Sequence, residues 1–266
     1  MKLAFCFLIK DEVYHLDFWE RFFENSDSNT WECYFHASEP DSVHQSFVKE
    51  RMVKTVPNAW GDIYLAVKEL SKKALCDNCS RLILLSESTI PTKSFAYLYD
   101  KLSQESRSWI CYQPHIAKNA HHKGTLKMMM ERFLNIGNKE PSIYFNLDIT
   151  HWYYNETWCI YNSDHASLIV EDELIFNKFN CPKPLFANDE NYPMYLISHY
   201  GLFNEVRNEK TTFVDWTRLS QNEDGKRSPH IYKELTANDI KSFSGENIFF
   251  ARKMSKKLNL TDINLF

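Results

Sequence analysis

Glycine and proline are scarce in this chain, 6 and 9 among 266 residues, and they never gather into a stretch of their own. That excludes a collagen-like repeat and leaves no segment with the composition of a flexible linker or a disordered tail. No apolar run approaches the roughly 20 residues needed to cross a bilayer. The apolar stretch after Lys2 stops at Lys10, Asp11 and Glu12 without a small-residue cleavage pattern, so it predicts a buried strand rather than a signal peptide. A basic surplus is missing too. With 31 Lys and Arg against 35 Asp and Glu, the net charge is −4, which argues against nucleic acid as the main partner because polyanion binding draws on a Lys/Arg excess. Neither G-x-G-x-x-G nor G-x-x-x-x-G-K-[ST] nor G-x-S-x-G occurs, so a dinucleotide dehydrogenase, a P-loop enzyme and an α/β-hydrolase are all unsupported.

The 7 cysteines are odd in number and scattered through apolar segments, which suits free thiols in a reducing compartment rather than a disulfide framework. Cys76 and Cys79 form a C-x-x-C without a second ligand pair, and predict two thiols at a helix-to-strand junction. His115, His121 and His122 likewise predict solvated loop histidines rather than metal ligands. A soluble, cytoplasmic protein with no transmembrane segment is expected, in which the sequons at Asn78, Asn155 and Asn259 go unused.

What the chain does have is 44% hydrophobic and 15% aromatic residues, enough to bury one substantial core. A single domain over 1–266 is expected. Short apolar runs alternate with amphipathic stretches, the pattern of βαβ units around a mostly parallel sheet. Strands are predicted at 3–9, 31–36, 52–56, 82–85, 109–112, 157–162, 211–214 and 248–251. Leu16, Trp19, Phe22 and Phe23 recur at helical spacing, and further helices are predicted over 62–74, 95–102, 163–170 and from near Asn188 to a cap at Gly201. In open α/β sheets ligands bind beyond the carboxyl ends of the strands. Those positions carry His36 and Ser38, then Ser86, Glu87 and Ser88, and finally Arg252 and Lys253.

Eight segments, in order and spacing, resemble the core-2/I-branching N-acetylglucosaminyltransferase family and its plant relatives: 2–9, 34–38, Trp60-Gly61, 84–91, 158–164, 188–192, 213–216 and 249–253. The resemblance implies an α/β GT-A fold, with a Rossmann-like nucleotide-sugar-binding half over 1–114 and an acceptor and catalytic half over 115–266. It implies a UDP-sugar donor, a glycan or other hydroxyl acceptor, inversion at the anomeric carbon, and no cofactor. By similarity Glu190 is the general base. Its expected place in the first turn of a helix would favour an ionised carboxylate, although first-turn acids are also common helix caps. Many GT-A enzymes hold a metal with an Asp-x-Asp after a donor-half strand. Here Ser86-Glu87-Ser88 stands at that place, and the resembled family uses basic side chains instead. Lys253 matches the family's basic position, with Arg252 beside it and Lys226 or Arg227 as a second candidate. His36, Ser38 and Glu87 are expected at the donor. Trp152, Tyr154 and Trp158 are expected at the acceptor, with core packing as the alternative for the aromatics. Two departures stand out, Asp164 where the family often has Arg, and Tyr153 and Tyr154 where plant relatives are basic. The competing readings are a non-catalytic nucleotide- or glycan-binding protein and a nucleotide-sugar hydrolase.

Overall fold

The computed structural model describes residues 1–114, 148, 151–179, 188–221 and 227–260. In chain order the strands are β1 (Leu3–Ile9), β2 (Trp31–Ala37), β3 (Arg81–Ser86), β4 (Ile90–Pro91), β5 (Ser108–Trp109), β6 (Tyr112–Pro114), β7 (Tyr153–Asn155), β8 (Ile160–Asn162), β9 (Val206–Arg207), β10 (Thr212–Val214), β11 (Leu219–Gln221), β12 (Arg227–Pro229) and β13 (Phe250–Arg252). Six of them form a mostly parallel sheet in the order β2-β1-β3-β8-β5-β9. Leu3 sits opposite both Trp31 and Arg81, so β1 runs parallel to β2 and β3, whereas β8 is antiparallel to β3 and β5.

Every residue of β1 is buried, and its period-2 alternation sorts the core. Leu3, Phe5, Phe7 and Ile9 face the Leu16–Phe23 helix through Trp19, Phe22 and Phe23. Phe5 meets Trp19 and Phe23 edge to face, at centroid distances of 5.9 and 5.0 Å. Ala4, Cys6 and Leu8 face the opposite layer, which holds Ala66, Val67, Leu70 and Ala74 of the Tyr64–Cys76 helix and Leu196 of the Tyr192–His199 helix. Helices cover both sides of this mostly parallel sheet, an α/β architecture consistent with the GT-A-like fold that the resemblance implies. A smaller sheet, β10-β13-β4, forms where β13 returns from far along the chain to pair with β4, just beyond the end of β3.

Several elements differ from expectation. The 52–56 segment makes only a bridge from Met52 to Phe35, because the Val56 N–H donates to the His36 ring at 3.0 Å instead of to a strand. The 109–112 strand divides into β5 and β6, since Ile110 still donates to Arg207 of the large sheet while Cys111 accepts from Glu156 beside the β6–β7 pair. The helix expected from Asn188 is interrupted. Asn188–Glu190 form a separate 3-10 turn, and the α-helix starts at Tyr192 with Pro193 in its first turn, where no N–H is needed. Gly201 ends that helix at φ +72°, as expected for a C-terminal cap. Cys76 closes the Tyr64–Cys76 helix and Cys79 is buried just before β3, both as free thiols. His115, His121, His122 and Lys226 lie outside the described residues. Among the described residues no helix is long and apolar enough to cross a membrane.

Candidate active site

Beyond the carboxyl ends of β1, β2 and β3 lies a cavity of about 450 Å³. Lys10, Ser38 and Glu87 line it from those three strand ends. Tyr154, Glu156, Thr157, Trp158, Asp189, Glu190, Arg252 and Lys253 line it from later in the chain. Trp60 and Trp216 also border it, 78% and 57% exposed.

One part of the wall is acidic. The Asn188–Glu190 turn is held in place by the Asp189 N–H donating to the Gly61 carbonyl at 3.3 Å, and by the Asn188 amide donating to Asp62 at 3.0 Å. From the other side the Asn155 amide donates to the Asp189 carbonyl at 3.1 Å, and the Thr157 hydroxyl donates to Asp189 Oδ2 at 3.2 Å. Burial, reinforced by Asp189, pushes the Glu190 carboxyl up to about 7. Burial likewise pushes Asp189 up to about 6 against the stabilising Thr157 hydroxyl. The expectation that a helix dipole keeps Glu190 ionised is thereby corrected. Glu190 precedes the α-helix, and desolvation next to a second carboxylate decides its proton affinity.

Another part of the wall is basic. The Arg252 Nε donates to Ser86 Oγ at 3.1 Å, and its guanidinium lies 4.3 Å from the centroid of the Trp158 ring. The Lys253 ammonium reaches Ser228 Oγ at 3.4 Å. Burial lowers Arg252 to about 10, and burial together with the neighbouring Arg252 lowers Lys253 to about 8. Among the ion pairs of the described residues neither cation takes part, and Glu87 is the carboxylate that partly offsets both. Two adjacent half-buried cations that no ion pair neutralises are costly, so such a pair marks a place that an anionic ligand can fill.

Ser38, Glu87, Tyr154, Trp158, Glu190, Arg252 and Lys253 thus meet at one cavity. His36 does not. It is wholly buried, with Nε2 accepting the Val56 N–H, because β2 is covered on both faces at its end. Trp152 packs into the core instead, its ring stacked on Phe179 at 5.6 Å and edge-on to Tyr195 at 6.0 Å. Arg227 lies on β12, and its side chain is outside the described residues. Lys10, Thr157 and Asp189 line the cavity without having been expected there, though Asp189 adjoins the expected base and Lys10 follows a strand. Among the described residues no group of three or more His, Cys, Asp or Glu side chains is placed to hold a metal.

The sequence profile described as Core-2/I-Branching enzyme matches residues 3–244. The chain belongs to this family. As a Core-2/I-Branching enzyme it is a glycosyltransferase, a class that takes a nucleotide-sugar donor and a glycan acceptor. Glycosyltransferase BC10 of Oryza sativa subsp. japonica is 24% identical over 298 residues, covering 96% of this chain and 69% of the rice protein. The matched region includes every strand of the large sheet and every acidic group of the cavity. Lys253 and Arg252 lie beyond its end and are brought back to the cavity by the β13–β4 pairing.

Proposed function

We propose that the chain is an inverting transferase that moves a sugar from a UDP-sugar to a hydroxyl of a glycan or other acceptor, with Glu190 as general base and without a divalent metal. The observation that carries this reading is the meeting, in one cavity, of a carboxylate raised to about 7 and two half-buried cations without ion-pair partners among the described residues. The donor belongs in the part bounded by Lys10, Ser38, Glu87, Arg252 and Lys253, with residues 1–114 forming the donor half and 115–266 the acceptor and catalytic half. N-acetylglucosamine, xylose and glucuronic acid are the sugar classes expected.

The acceptor oxygen attacks the anomeric carbon, forming a C–O bond as its proton passes to Glu190. The bond from that carbon to the phosphate oxygen breaks on the opposite face, and its electron pair leaves with UDP. Lys253 and Arg252 neutralise the charge that builds on the diphosphate, the kind of fixed electrostatic stabilisation that often contributes most to catalysis. A carboxyl near 7 has the proton affinity a general base needs at neutral pH while being ionised about half the time. Incubation with a panel of UDP-sugars, with and without glycan acceptors, tests the reading. Acceptor-dependent UDP release is expected; UDP binding without turnover would favour the non-catalytic alternative, and acceptor-independent release would favour hydrolysis.

A further inference from the structure

Arg252 is gripped by two groups that the transfer step itself does not employ. The Trp158 ring lies under its guanidinium at 4.3 Å, and Ser86 Oγ accepts from its Nε at 3.1 Å. Both supports are themselves fixed. Ser86 is 2% exposed, and its hydroxyl is within hydrogen-bond distance of Ser88 Oγ at 3.2 Å and Thr89 Oγ1 at 2.9 Å. The Trp158 carbonyl accepts from the hydroxyl of buried Thr211 at 3.4 Å. The three partners come from separate places in the chain: the end of β3, the approach to β8, and β13. The Trp158 ring closes off one side of the guanidinium, and the Nε bond to Ser86 restricts its rotation. Its two terminal nitrogens have no protein partner among the described residues.

We infer that Trp158 and Ser86 are positioning residues that hold Arg252 as a planar fork for the donor diphosphate, so that the Trp158 face carries this cation rather than an acceptor sugar. The inference rests on the donor-site reading above. A guanidinium recognises two phosphate oxygens at once through parallel N–H groups, and that geometry is useful only if the plane is held. Fixing it before the donor arrives removes an ordering cost from binding. Lysine in place of Arg252 would keep the charge but lose both the fork and its registration on the ring.

UDP is the probe, with affinity measured by calorimetry and folding followed by circular dichroism and thermal melting. For Trp158→Leu the expected loss of UDP affinity is about 10-fold, and for Trp158→Phe, which keeps an aromatic face, no more than about 3-fold. Arg252→Lys should cost about 10-fold in the parent and little more in the Trp158→Leu background, because the fork is already lost. Ser86→Ala supplies a second route should Trp158→Leu fail to fold. It should weaken UDP about 3-fold and shrink the Arg252→Lys effect in the same way. Full UDP affinity in a folded Trp158→Leu or Ser86→Ala protein, or an Arg252→Lys penalty that adds unchanged to either, overturns the inference. A parent chain that binds no UDP overturns the donor-site reading itself.

Discussion

The Tyr154 hydroxyl donates to Oε1 of Glu190 across 3.5 Å, so a phenol on β7 and the neighbouring Asp189 both bear on the candidate base. Burial above all, then Asp189 and Glu156, raise its proton affinity, and the Tyr154 hydrogen bond lowers it. Turnover should therefore fall as pH drops through about 7, where Glu190 takes up a proton. Asp189→Asn removes the closest like charge and should move that acid limb to lower pH. A limb that stays in place in the pH profile of kcat/KM would assign the titration to another group.

The same shift has a stability cost. The Glu190 carboxyl sits at about 7 in the fold against 4.5 as its ordinary value, so the folded state holds its proton more tightly than the unfolded one. Its contribution to stability is present below about 4.5 and is lost as pH rises through about 7. Glu190→Gln should accordingly raise the melting temperature at pH 8 relative to the parent and leave it nearly unchanged at pH 4. Thermal denaturation at the two pH values reads the difference, and a variant destabilised at both would mean that the carboxylate mainly supports the fold.

Catalysis by the same variant should move the other way. Glu190→Gln keeps size and hydrogen-bonding capacity but cannot accept the acceptor proton, so kcat should fall at least ~100-fold while UDP affinity is retained. Parallel measurement of transfer rate and UDP binding separates these outcomes; transfer at the parent's rate would place the base elsewhere.

With Lys253 at the donor diphosphate, as proposed, donor affinity should depend on pH. The Lys253 ammonium is lowered to about 8 by burial and Arg252, and a bound diphosphate would raise it again. UDP affinity should decline as pH rises above about 8, and Lys253→Met should lower affinity and abolish that decline. Calorimetry in buffers of different ionisation heat should register proton uptake on UDP binding above that pH. Activity should persist in EDTA; loss in EDTA with recovery on manganese would replace this account with a metal-assisted one.

Asp172 ties the start of the Phe176–Phe179 helix to the Tyr192–His199 helix. Its buried carboxylate accepts from the Ile175 and Phe176 N–H groups at 3.0 and 2.8 Å and from the Tyr192 hydroxyl at 2.9 Å. Asp172→Ala leaves these donors unpaired and should cost about 2–4 kcal/mol in denaturant unfolding.

The legible parts of the molecule were those in which neighbours along the chain decide. Unbroken apolarity over 3–9 specifies a doubly covered strand, the 16–23 spacing specifies a one-sided helix, and Gly201 specifies where a helix stops. The rule that ligands gather beyond strand ends, together with the resemblance, located Ser38, Glu87, Glu190, Arg252 and Lys253 at one cavity. Where β2 is buried on both faces, alternation carries no information about direction, and His36 turned inward to hold Val56.

The sequence by itself determined the α/β layers and the chemical types available at the strand ends, because periodicity and turn residues act over a few positions. Only tertiary structure decided what those groups became. The β13–β4 pairing carries Arg252 back over 160 residues to Ser86, where Trp158 arrives from the bend before β8. The Asn188–Glu190 turn is set against Gly61, Asn155 and Thr157, and the resulting desolvation gives Glu190 a proton affinity opposite to that expected from a helix end. Charge state depends on burial and on which distant charges are adjacent, and both are fixed only when long-range elements pack.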